Sequence, residues 1–184
     1  MTWAGTWAET WKAVRLSEVL FLIAMALLIV IGKALFHRHL HVPGHTSLFV
    51  VFFVLMAKGG VPRAGSGALV GLFAGSQWLL TGLAAEGPLS ILTFIIPAAV
   101  IDGLCVLLPS APRKFLPAAL VGAVAGFSRV VGLIPGEMAA AADPWIVIHS
   151  LAIKSLAGLA FGIAGAVLVP TLVRRLDRSG ILPR

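Results

Sequence analysis

Residues 16–36, LSEVLFLIAMALLIVIGKALF, are the stretch that decides the fold. A membrane-crossing helix needs about 20 mostly apolar residues, because hydrocarbon offers no partner to a backbone N–H or C=O left unpaired. Directly after this run comes a polar, proline-broken stretch, His37-Arg38-His39-Leu40-His41-Val42-Pro43-Gly44-His45, which holds four of the five histidines. Ahead of the run, Trp3, Trp7 and Trp11 recur at spacing four with Glu9 and Lys12 between them. That pattern predicts a short N-terminal interfacial helix with indole rings at headgroup level. No short apolar region with a small-residue cleavage site is evident, so no cleavable signal peptide is expected.

The rest of the chain repeats the theme. Of its 184 residues 59% are hydrophobic and 11% charged, and the mean hydropathy is +1.03, well beyond a soluble domain. The reading is all-α: one polytopic membrane helical bundle over residues 1–184, with six transmembrane helices at about 16–36, 46–60, 64–83, 89–108, 115–133 and 145–173. The second is short, about 22 Å by helical rise, and is either little tilted, extended into the histidine segment or not fully spanning. Pro97 is expected to kink the fourth. The lone cysteine, Cys105, excludes an intrachain disulfide. A net charge of +7 would suggest nucleic acid in a soluble protein; here the charges sit at span ends, and no nucleic-acid partner is expected.

With six spans, Lys12, Arg15, Lys58, Arg63, Arg113, Lys114, Arg174, Arg175, Arg178 and Arg184 fall at one end, and only Lys33 and Arg38 at the other. The positive-inside rule then puts both termini in the cytoplasm and the histidine segment outside. Small residues recur at spacing four in Gly67/Gly71/Gly75, Gly122/Gly126 and Gly158/Gly162, stripes that suit close helix packing or docking of another membrane subunit.

Ionisable groups inside spans are expensive and point to function. Asp102, Arg129, His149 and Lys154 qualify, with Gln77 nearby in depth. Two readings stand for Lys154 and Asp102. One is a purely structural pair. The other is the floor of an outward-open cavity walled by Gln77, Arg129 and the rings of Trp78 and Trp145, lidded by His41 and His45, and suited to a small ligand with a carboxylate or phosphate and a flat ring. The histidines admit three readings: an exposed headgroup-level loop, a substrate lid, or a transition-metal (nickel, cobalt or zinc) site from His37, His39, His41 and His45. No Walker loop, G-x-S-x-G or zinc-protease helix is present, so the chain neither hydrolyses ATP alone nor shows an enzyme signature, and no cofactor is expected.

Six spans in under 200 residues, His41-Val42-Pro43-Gly44-His45-Thr46 before the second, and Gly67-Ala68-Leu69-Val70-Gly71 in the third together resemble the substrate-binding S component of energy-coupling factor (ECF) transporters, over roughly residues 14–175. The chain departs from that family's Ala-x-x-x-Ala of the first span, where Ala24 is followed at that spacing by Leu28 and Ala26 by Val30. It carries Thr2 where the metal-binding branch has histidine. The resemblance implies a non-enzymatic subunit in the bacterial inner (plasma) membrane that captures a vitamin-like molecule from outside. Its partners would be the lipid bilayer, a transmembrane scaffold and two ATPases. The competing expectations are metal uptake through the histidines, a membrane assembly protein whose polar residues only pair, and an intramembrane enzyme using His45 or His149 with Asp102.

Overall fold

The computed structural model describes residues 15–39, 44–82, 87–140 and 143–180; the tryptophan helix expected at residues 3–11 lies outside them. The elements are α1 (Leu16–His39), α2 (His45–Gly60), α3 (Ser66–Leu80), a 3₁₀ turn (Pro88–Ile91), α4 (Leu92–Leu107), α5 (Phe115–Ala140) and α6 (Pro144–Arg178), with no strand among the described residues. Four stretches, Leu16–Phe36, Pro88–Leu107, Phe115–Ala139 and Pro144–Arg178, are long and apolar enough to cross a membrane. The 16-residue α2 and 15-residue α3 are apolar but shorter. By the rise of 1.5 Å per residue they are about 24 and 22 Å long, against a hydrocarbon core of about 30 Å.

The element ends follow backbone chemistry. Gly44 and Gly65 precede α2 and α3 with φ of +88° and +85°, a left-handed conformation that glycine alone adopts freely. The second of these starts α3 at Ser66, two residues later than hydropathy suggests. Pro135 and Pro170 lie inside α5 and α6, which continue to Ala140 and Arg178. Asp143 opens α6 by accepting the Trp145 N–H at 2.9 Å, with Pro144 in the first turn.

The helices close a ring in the order α1, α2, α6, α5, α4, α3 and back to α1, and α2 also contacts α3, α4 and α5. Every other helix therefore touches α2. That explains its sequence: Val50, Val51, Val54, Leu55 and Ala57 are fully enclosed, and the helix is apolar around most of its circumference.

Glycine seams set the spacing. A Cβ on Gly158 would stand 2.6 Å from the Gly126 carbonyl oxygen, and one on Gly122 2.5 Å from that of Gly162. The backbones of α5 and α6 thus touch directly. Gly71 would meet Ala98 at 2.5 Å on α4, and Gly165 the Leu48 carbonyl oxygen at 2.6 Å on α2. All three small-residue stripes of the sequence are used for packing within the chain.

One offset shapes the molecule. Gly44, just ahead of α2, abuts Ala157 and Gly158 in the middle of α6. Ala157 is thirteen residues from the start of α6, about 20 Å along its axis. The start of α2 is therefore recessed far below the start of α6. Gly132 of α5 abuts Leu92, the first residue of α4, so the last turns of α5 also run past α4.

Candidate functional site

The recessed start of α2 is the most unusual place in the bundle. A helix's first turn leaves backbone N–H groups without intrahelical acceptors and carries the positive end of its dipole. Here that turn is buried: Gly44, Thr46 and Ser47 are all enclosed, and glycine supplies no side-chain cap. Ser47, 1% exposed, has a hydroxyl with no hydrogen-bond partner among the described residues. It sits on the α6 side, 3.4 Å from where a Cβ of Gly158 would be. The Ser47 N–H donates to the Gly44 carbonyl oxygen at 2.9 Å, so the polar group this residue leaves unsatisfied is its hydroxyl.

Three of the residues expected at a site gather at this level. His45 is the first residue of α2 and half-buried. Arg129 lies on α5 one turn from Gly126, which abuts Gly158, and is half-buried. Lys154 lies on α6 one turn from Gly158. The ammonium of Lys154 is bonded to the Glu137 carboxylate of α5, not to Asp102. The expected Lys154–Asp102 pair does not form because Asp102 lies toward the opposite end of the bundle. There its carboxylate is 2.7 Å from Lys58 and accepts the Ala68 N–H at 2.5 Å.

The other expected residues disperse. His149 and Trp145 are exposed, the latter 73%, because the start of α6 stands clear of the ring. Trp78 is 2% exposed and works as core: the Lys33 ammonium lies 3.9 Å above its ring and 4.7 Å from Phe94. Gln77 is half-buried beside it on α3. His37 and His39 fall in the last turn of α1 with side chains outside the described residues, as is His41 entirely. Among the described residues no group of three or more His, Cys, Asp or Glu side chains could hold a metal.

Sequence reasoning missed four contributors. Lys58 and Lys33 look like flanking charges, yet are 6% and 8% exposed. Each lies within a hydrophobic helix, the one available signal. Glu137 looks like a loop residue because the fifth span is placed at 115–133, whereas α5 continues to Ala140. Ser47 gave no signal at all, since a lone serine in an apolar helix is ordinary. No family model, no curated protein and no solved structure matches the chain.

Proposed function

We propose that this chain is the substrate-binding subunit of an ECF-type importer, with six spans of which two are short, both termini cytoplasmic, and no chemistry of its own. It takes a small, anionic, vitamin-like molecule from the outer side and passes it through a scaffold subunit driven by two ATPases. The observation that carries the ligand's charge is the buried, uncapped start of α2 with its unsatisfied Ser47 hydroxyl. The ligand's carboxylate or phosphate accepts from the Ser47 hydroxyl, near the positive end of the α2 dipole, and Arg129 of α5, one turn from Gly126, adds positive charge. Ser47 is itself 1% exposed, which keeps such a contact away from bulk water.

A second reading draws on the ion pairs. Lys58–Asp102, Arg63–Glu18 and Lys154–Glu137 all close within the chain, as a membrane assembly protein without a ligand would have them. Native mass spectrometry of the whole purified chain separates the two. The transport reading expects a small molecule of constant mass that Arg129→Gln and Ser47→Val each release, with the thermal melt preserved, and co-purifying ATPase subunits. A bare mass with no ATPase sinks it. A chelator-sensitive nickel, cobalt or zinc adduct that survives Arg129→Gln replaces it with metal uptake.

A further inference from the structure

Among the described residues the cation Lys58 is matched with Asp102, Arg63 with Glu18 and Lys154 with Glu137. A second set is not. Arg113, Lys114, Arg174, Arg175 and Arg178 are all exposed, and none of them is paired with a carboxylate among the described residues. The fold gathers them into one corner. Arg174, near the end of α6, donates to the Arg113 carbonyl oxygen at 2.8 Å, and its guanidinium lies 5.7 Å from the Phe115 ring at the start of α5. Arg178 follows Arg174 by one turn on the same face of α6. The one carboxylate on this part of α6 is Asp177, half-buried.

Apolar surface continues directly from these cations along the same two helices. Phe115 is 48% exposed, Leu116 74%, Leu168 54% and Leu172 37%. Five cations at the rim of a lipid-facing apolar shelf fit a molecule that is anionic at one end and hydrocarbon at the other. We infer that this corner is a binding site for an anionic phospholipid: its phosphate lies among Arg113, Lys114 and Arg174, and its acyl chains run along Leu116, Leu168 and Leu172. A nucleic acid or an acidic soluble protein would match the charge but leave the adjoining shelf uncovered. The inference rests on membrane insertion and is independent of the transport reading.

The test uses the whole chain in phosphatidylcholine nanodiscs doped with phosphatidylglycerol, with retained lipid read by native mass spectrometry. Phosphatidylglycerol should be retained in preference to phosphatidylcholine. The triple change Arg113→Gln, Lys114→Gln, Arg174→Gln should weaken that preference on the order of 100-fold, roughly fivefold per charge removed. The wild-type chain supplies an independent readout, because retention through phosphate–cation contacts must fall as salt is raised. Excess soluble glycerol phosphate should not displace the lipid. Equal retention of the two lipids, salt-insensitive retention, or displacement by glycerol phosphate would each overturn the proposal.

Discussion

Asp102 does two jobs at once. Its Oδ1 faces the Lys58 ammonium at 2.7 Å, and its Oδ2 accepts from Ala68 in the first turn of α3. Lys58 in turn donates to the Arg63 carbonyl oxygen at 2.7 Å, just before that turn. One carboxylate thus ties α2, α3 and α4 together with almost no contact with water. Breaking a buried pair by removing one partner leaves an uncompensated charge and commonly costs about 3–5 kcal/mol. Lys58→Met should therefore lower the melting temperature of the detergent-solubilised chain sharply. Adding Asp102→Asn should recover most of the loss, because asparagine is neutral and still accepts from Ala68. Adding Asp102→Leu should recover less, because the N–H then lacks its acceptor, a loss of about 1–3 kcal/mol. Equal recovery by the two double variants would mean that the Ala68 contact contributes nothing.

Between helices, the seam of α5 and α6 depends on the absence of side chains. Gly126→Ala would drive a methyl group into the backbone of Gly158 and should destabilise by about 1–3 kcal/mol. Gly103, exposed in the interior of α4 with nothing within 4 Å of its Cβ position, is the contrasting case. Gly103→Ala should be neutral or stabilising by up to about 1 kcal/mol, since alanine is the better helix former. Paired melts in one detergent check both, and a seam variant that melts like wild type would refute the close contact. At this scale the sequence was largely legible. Hydropathy locates α1 and α4 closely, and glycine spacing picks out the seams, because both signals are local and periodic. Helix ends were harder to place, as at α5, which runs through Pro135 to Ala140. Partner choice was not legible at all. Asp102 and Lys154 look close by hydropathy-based depth, but that depth shifts with the true helix ends and carries no information about which helices flank each other, and the fold sets them toward opposite ends. The ring order puts Asp102 against α2 and α3 instead.

For the whole molecule, the contacts divide the chain between two ends. Glu18, Lys58, Arg63, Arg113 and Arg174 meet at or near one, and Glu137 and Lys154 lie toward the other. In a Cys105→Ala background, cysteines at Asp143 and Ser179 should therefore react with an impermeant thiol reagent from opposite faces, Ser179 from the cytoplasm if the positive-inside rule holds. Labelling of both from one face would exclude the membrane arrangement of α6.

The enclosed position of α2 also bears on how the molecule is made. Leu48 is covered by Gly165 and Gly59 by Val173, both on α6, which is synthesised well after α2. Until α6 arrives, α2 has one flank uncovered, and its 16 residues fall short of the hydrocarbon thickness. That flank of α2 thus waits for a partner that the ribosome supplies more than eighty residues later. A nascent chain interrupted before residue 144 therefore carries an open flank along α2, where Leu48 and Gly59 lack the cover of Gly165 and Val173.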